Sequence, residues 1–192
     1  MNKQSLIEEN GIGLFPMDGE TGAEKPADHA GSPSFLNRPL NGLFLSCAVF
    51  EVNGKATEDP GKEGDENADQ SFIIRELSSG KTIGKLRIVD IASAHQTAWM
   101  NMIMDGGEVF DAHARDVLRM VLRYGFVNLD FNRVCVEIPA FEETEIALYE
   151  EAGFLRETQR RQAVYYNGSH YDDLLYGILR TEWMKIEQEV AA

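Results

Sequence analysis

The stretch from residue 105 to residue 126, DGGEVFDAHARDVLRMVLRYGF, combines residue types and a spacing that suit the binding of an anion. The glycine pair Gly106–Gly107 ends an apolar run, and a turn of small residues around Ala112 and Ala114 leads into a helix. N–H groups at the start of a helix have no partner inside it, so they can hold an anion, often a phosphate. An ordinary strand-to-helix connection without a ligand has the same pattern, and this segment alone leaves both interpretations open.

The helix at 111–126 is predicted from an apolar stripe with helical spacing. Its members recur at i, i+3, i+4, i+7, i+8 and i+11: Ala114, Val117, Leu118, Val121, Leu122 and Gly125. The other side carries Asp116, Arg119 and Arg123, as expected for a helix with one face on the core and one in water.

The remaining elements must position this junction. Apolar and alternating runs predict strands at 43–52, 71–77, 82–91, 99–104, 133–138, 162–166 and 174–180. Helices are predicted at 143–151 and, as a charged tail, at 181–190. From residue 71 the order is β-β-β-α-β-α-β-β, which predicts a mixed sheet of the α/β or α+β class. In such sheets ligands lie where neighbouring strands diverge at a helix N-terminus, here between 99–104, 111–126 and 133–138.

The chain divides into two regions by composition. Residues 1–42 are rich in glycine, proline and acidic residues, which predicts an irregular segment packed on the core or flexible beside it. Residues 43–192 are predicted to form a single domain. Its loop at 53–70 has no large apolar residue and is expected to be flexible.

The formal net charge of −14, from 32 acidic and 18 basic residues, argues against binding to nucleic acid or to an anionic membrane surface. The N-terminus lacks the apolar run of a signal peptide, so we expect a cytoplasmic protein. Cys47 and Cys135 have no metal-like spacing and are expected to be reduced thiols. The four histidines are far apart in the sequence, and their spacing does not indicate a metal centre.

The second half of the chain resembles the GCN5-related N-acetyltransferase (GNAT) superfamily, particularly its branch that acetylates ribosomal-protein N-terminal amines. The matching stretches are LRMVLRYGFVNLDFNRVCVEI at 118–138, IALYEEAGF at 146–154 and LLYGILRTEW at 174–183. The resemblance covers about residues 71–183. It implies the GNAT acyl-CoA N-acyltransferase fold, acetyl-CoA as co-substrate, no metal, and direct transfer of the acetyl group to a primary amine.

The resemblance also implies a set of site residues. Tyr149, the tyrosine of LYEEAGF, would be the general acid, and N–H groups of the 99–104 strand would stabilise the oxyanion. N–H groups of residues 110–115 would hold the pyrophosphate, with Arg115 as the charged helper. The full donor-binding set is Met102, Ile103, Met104, Phe110, Asp111, Ala112, His113, Ala114, Arg115 and Glu142.

This sequence departs from the family at the pyrophosphate loop, which usually reads Gln/Arg-x-x-Gly-x-Gly/Ala. By register with Leu118, those positions hold Val109, Ala112 and Ala114. Glu142 stands where the family often has an asparagine that contacts the cofactor.

Several choices stay open from the sequence. Glu137 and Asp90 are candidate general bases, and nothing in their spacing selects one. The acceptor is a small-molecule or peptide amine, and an acidic surface suits a polyamine, an aminoglycoside or a basic protein N-terminus. A homodimer is one option for the assembly. The alternative function is a catalytically inactive GNAT-fold module for binding or assembly, which the altered loop and Glu142 favour.

Overall fold

The computed structural model describes residues 7–16 and 69–190. Its strands are β1 (Ile7–Glu9), β2 (Ile12–Pro16), β3 (Gln70–Glu76), β4 (Thr82–Ala92), β5 (Thr97–Met104), β6 (Arg133–Pro139), β7 (Leu155–Tyr166) and β8 (Ser169–Leu179). The helices are α1 (Glu108–Arg123), α2 (Glu143–Glu151) and α3 (Arg180–Val190). A 3-10 turn at Ser93–His95 precedes β5, and a π-helical turn at Tyr124–Asn128 ends α1.

The described strands form one eight-stranded sheet in the order β1-β2-β3-β4-β5-β6-β8-β7. Strands β5 and β6 are paired in parallel, whereas the other neighbours are antiparallel. From β3 onward the element order matches the predicted β-β-β-α-β-α-β-β, and the prediction of a mixed sheet is confirmed.

One face of this sheet packs against the helices. Successive residues of a strand point to opposite faces, and the register puts Leu86, Met100, Val134 and Ile178 on the same face. All four belong to the buried core cluster, together with the apolar stripe of α1. The opposite face carries polar and half-buried side chains along β5, β6 and β8.

The helix α1 begins at Glu108, three residues before the predicted start at 111. Phe110 is 8% exposed and extends the apolar stripe backward by one turn from Ala114. Burial of this ring against the core therefore favours helix over the expected turn. The sequence signal was present, because Phe110 and Ala114 are four residues apart.

Residues 7–16, which the composition placed in an irregular segment, form β1 and β2 and lengthen the sheet beyond β3. The turn between these strands is Asn10–Gly11, and both residues have positive φ, at 50° and 79°. Asn-Gly is the strongest short-range signal for a tight hairpin. The predicted strand at 43–52, Cys47 and residues 53–68 of the loop predicted at 53–70 lie outside the described residues, and Gln70 at the end of that loop already begins β3. Cys135 is a buried free thiol.

None of the helices in the described part of the chain is long and apolar enough to cross a membrane.

Candidate active site

Strands β5 and β6 diverge, and this opening organises the site. They pair only at their beginnings, where Trp99 lies opposite Cys135, and no pairing joins them beyond that point. The helices α1 and α2 follow the C-terminal ends of these two strands. Because the strands are parallel, both helix N-termini lie at the same edge of the sheet, beside the opening.

The backbone of β5 offers hydrogen-bond donors to the opening. The Asp105 N–H donates to the Ile83 carbonyl of β4 at 2.8 Å. N–H groups alternate in direction along a strand, so Ile103 also directs its N–H towards β4. Met102 and Met104 therefore direct theirs towards β6. Of the three strand residues predicted for donor binding, these two direct an N–H group towards the opening.

The N-terminus of α1 is set by Gly107, whose φ of 67° and ψ of −137° suit only glycine. The Asp111 N–H already donates to the Gly107 carbonyl at 3.0 Å. The N–H groups without an intrahelical acceptor are therefore those of Glu108, Val109 and Phe110. Within the predicted 110–115 cradle, only Phe110 has its N–H at the free end of the helix.

The other residues predicted for the cradle lie inside α1. Ala112 is exposed, Ala114 is 1% exposed and packs in the core, and His113 is half-buried. The Nε2 atom of His113 is 3.9 Å from Oε1 of Glu76. Their backbone groups belong to the helical ladder, because the helix begins earlier than the sequence predicted.

A cavity of about 300 Å³ lies between the first two turns of α1 and the length of α2. Its lining consists of Phe110, Asp111, Ala114, Arg115, Thr144, Ala147, Leu148 and Glu151. Arg115 crosses from one helix to the other and donates from Nε and Nη2 to Oε2 of Glu151, at 2.9 and 2.7 Å. The predicted charged helper is therefore at the cavity, but it is paired with a carboxylate.

Tyr149 lies on α2 and is 4% exposed. Its ring packs edge-on against Phe154, with the ring centroids 5.1 Å apart. Burial raises the pKa of the Tyr149 hydroxyl above its ordinary value of 10.0, and the charge of Glu145 raises it further. The phenol therefore keeps its proton at neutral pH, as a general acid requires.

Of the two candidate bases, the structure places Glu137 beside the opening. Glu137 lies two residues beyond Cys135 on β6, on the face opposite the helices. Its Oε2 accepts a hydrogen bond from Nη2 of Arg160 at 2.8 Å, and Nε of Arg160 donates to Asp173 at 3.1 Å. The Asp173 side chain is 6% exposed, so a buried carboxylate anchors the guanidinium that holds Glu137.

Asp90 lies elsewhere. It follows Val89, which pairs with Trp99 at the closed end of the two strands, and it is exposed with a φ of 49°. Its N–H donates to Oδ1 of Asp69 at 3.2 Å.

Glu142 precedes α2 as its N-cap residue, and its carbonyl accepts the Ile146 N–H at 3.0 Å. Its side chain makes no capping hydrogen bond. Within residues 7–16 and 69–190, no group of histidine, cysteine, aspartate and glutamate is arranged to hold a metal ion.

The family model described as an acetyltransferase (GNAT) domain matches residues 63–175. YokL of Bacillus subtilis strain 168, named as a prophage-derived N-acetyltransferase, is 33% identical over 70 residues, or 36% of this chain and 40% of that protein. YdaF of the same organism, provisionally named a ribosomal N-acetyltransferase, is 28% identical over 111 residues, or 56% and 58% of the two chains.

Spermidine N(1)-acetyltransferase of Vibrio cholerae is 23% identical over 119 residues, which are 62% of this chain and 68% of that protein. A dodecameric structure of spermidine N-acetyltransferase from Vibrio cholerae superposes with a TM-score of 0.57 at 24% identity, covering 62% of this chain and 70% of that one. The chain spans 40% and 58% of the lengths of YokL and YdaF.

The family model covers more than half of the chain, and the fold is similar to that of the solved Vibrio cholerae structure over 62% of this chain. The protein belongs to the GNAT acetyltransferase domain family.

Proposed function

We propose that this protein is an N-acetyltransferase that moves the acetyl group of acetyl-CoA to a primary amine by direct attack. The observation that carries the proposal is the opening between β5 and β6. Tyr149 belongs to α2, one of the two helices that begin at this edge, and Glu137 lies on β6, on the face opposite the helices. An acyl donor and an amine could therefore approach one another through the sheet.

The donor fits the edge where α1 and α2 begin. Free N–H groups of residues 108–110 and the positive end of the α1 dipole suit a pyrophosphate. The cavity between the helices offers apolar surface beside Arg115. Acetyl-CoA supplies the acetyl group as a thioester, in which the coenzyme A thiolate is a good leaving group.

In the proposed transfer, the amine nitrogen forms a bond to the thioester carbonyl carbon and the C–S bond breaks. The N–H groups of Met102 and Met104 stabilise negative charge that develops on the carbonyl oxygen. Tyr149 donates its proton to the departing sulfur, and water then restores the phenol. Glu137 takes the proton that the amine loses, directly or through one water molecule.

The acceptor in this proposal is a small-molecule or peptide amine that carries positive charge. The net charge of −14 favours a basic acceptor, and the Vibrio cholerae relative is named for spermidine. Protein N-termini are the second acceptor class, because YdaF is provisionally named a ribosomal N-acetyltransferase.

A second candidate function is a catalytically inactive binding or assembly module. It is favoured by the side chains at the α1 N-terminus, where the family's basic or amide residue is replaced by Val109 and the first turn carries Glu108 and Asp111. Two carboxylates at the N-terminus of a helix neutralise part of its positive dipole end and repel a phosphate that would bind there.

Two measurements test the proposal. Calorimetric titration measures the binding of acetyl-CoA, and an assay of released coenzyme A thiol measures transfer to spermidine and to a peptide with a basic N-terminus. We expect heat of binding and acetylated amine, identified by mass spectrometry. No heat and no thermal shift at millimolar acetyl-CoA would refute it. The inactive module would be favoured if the protein binds acetyl-CoA without acetylating any amine, and if Tyr149→Phe leaves its biological activity in the cell unchanged.

A further inference from the structure

We propose that Glu151 competes with the phosphates of the donor for Arg115 and thereby sets the donor affinity. This inference rests on the proposed function, because it concerns how acetyl-CoA would bind. Glu151 lies within the IALYEEAGF stretch at 146–154, in which the family resemblance gives a role to Tyr149 alone.

The geometry places both residues on the wall of the same cavity. The helices α1 and α2 follow parallel strands, and their neighbouring faces enclose about 300 Å³. Arg115 lies on the second turn of α1 and Glu151 is the last residue of α2, so their contact joins the two helices beyond the free N–H groups of residues 108–110. A nucleotide bound at the α1 N-terminus would reach Arg115 along this cavity.

The pair is weak enough to exchange. The side chains of Arg115 and Glu151 are 70% and 58% exposed, and ion pairs in water stabilise a protein little. A guanidinium also binds phosphate through two parallel N–H···O bonds. Arg115 can therefore leave Glu151 for a phosphate oxygen, while Glu151 returns to water.

The charged residues of the cavity lining determine how strongly this competition affects phosphate binding. Among the described residues that line the cavity, Arg115 is the one basic residue, and the carboxylates of Asp111 and Glu151 line it as well. While Glu151 holds the guanidinium, this described lining offers a phosphate no free cation. Removing the charge of Glu151 releases Arg115 without adding any new group.

The test compares Glu151→Gln with Glu187→Gln by calorimetric titration with coenzyme A. Arg119 and Glu187 form a matched pair: Nε and Nη2 donate to the carboxylate at 2.8 and 3.0 Å, and the pair joins α1 to α3 outside the cavity. Each substitution removes one negative charge. We expect roughly two- to fivefold tighter binding for Glu151→Gln, in line with a weak exposed pair, and no change for Glu187→Gln.

Arg115→Gln and the double variant Arg115→Gln/Glu151→Gln separate competition from plain repulsion. Arg115→Gln should weaken binding, and Glu151→Gln should then bring no gain. An equal gain in both backgrounds means that Glu151 only repels the phosphates, which overturns the inference, as does an equal gain from Glu187→Gln. If the wild type binds coenzyme A and Glu151→Gln binds it with the same affinity, the inference is overturned and the proposed function is not. No binding by any variant overturns the proposed function with it.

Discussion

At the residue scale, Tyr149 carries the transfer step of the proposed function. We expect Tyr149→Phe to slow thiol release with spermidine at least about 100-fold, the size of a lost general acid. Calorimetry should give an unchanged affinity for acetyl-CoA, because the ring stays in place against Phe154. Since burial raises the pKa of Tyr149, the phenol holds its proton as pH rises, and the wild-type rate should show no loss of this acid between pH 7 and 10.

Tyr176 is the matched control for this substitution. It is 1% exposed, its hydroxyl donates to Oε1 of Glu150 at 2.8 Å, and burial raises its pKa to about 12. Tyr176→Phe should cost about 1 kcal/mol of unfolding free energy through the lost hydrogen bond, with the transfer rate retained. Equal rates for Tyr149→Phe and Tyr176→Phe would contradict the assignment of Tyr149.

At the element scale, the start of α1 depends on the backbone of Gly107. We expect Gly107→Ala to weaken binding of acetyl-CoA about tenfold, because the strained φ and ψ shift the N–H groups of residues 108–110. The added Cβ itself meets no atom within 4 Å, so the effect comes from the backbone. Calorimetry measures the affinity.

Gly80→Ala provides the control, since Gly80 has a φ of 68° and equally open surroundings in the turn between β3 and β4. It should lower the free energy of unfolding and leave the affinity unchanged. If the two variants bind acetyl-CoA equally well, the N-terminus of α1 does not hold the donor.

The edge strand β7 supplies a pH-dependent prediction at the same scale. The Asp172 carboxylate accepts the Gln162 N–H at 2.8 Å and the side-chain amide of Gln159, where the register of β7 against β8 shifts. These hydrogen bonds lower the pKa of Asp172. A carboxylate whose pKa is lower in the folded than in the unfolded state stabilises the fold above the ordinary pKa of aspartate. This stabilisation is lost as pH falls through the lowered pKa.

We therefore expect Asp172→Asn to lower the urea midpoint at pH 7 and to converge with the wild type as pH falls below about 4. Asp90→Asn, at an exposed position, should leave the midpoint unchanged across that range. A gap between Asp172→Asn and wild type that stays constant down to pH 2 would exclude the carboxylate as its cause.

The elements differ in how far the sequence could predict them. The strand pair β3–β4 was predictable because apolar residues such as Leu86 and Ile88 alternate with polar ones. The first half of β7 was not, because Leu155–Arg161 is exposed along its whole length and shows no alternation. The role proposed for Tyr149 comes from its motif and stays a prediction. The Arg115–Glu151 and Arg160–Asp173 pairs could not be predicted, since they join elements through tertiary packing.

At the scale of the whole molecule, charge is distributed unevenly. Residues 1–70 contain 13 acidic and five basic residues, more than half of the net charge of −14. The proposed donor is itself a polyanion, so the protein's overall field opposes its approach, whereas local N–H groups and Arg115 attract it. Among the residues that the structure describes, the groups proposed to overcome that field are the three N–H groups at the start of α1 and the exchangeable Arg115.

This balance predicts an unusual salt dependence. At 0.1 M ionic strength the Debye length is about 10 Å, so added salt screens the distant carboxylates more than contacts within the site. We expect the affinity for acetyl-CoA to stay level or rise between 50 and 500 mM sodium chloride, measured by calorimetry. A donor site built on many exposed cations would lose affinity steeply over this range. Such a loss would mean that basic residues other than Arg115 bind the phosphates. The Glu151→Gln variant is the internal control, because its freed Arg115 should make the affinity fall more steeply with salt than it does in the wild type.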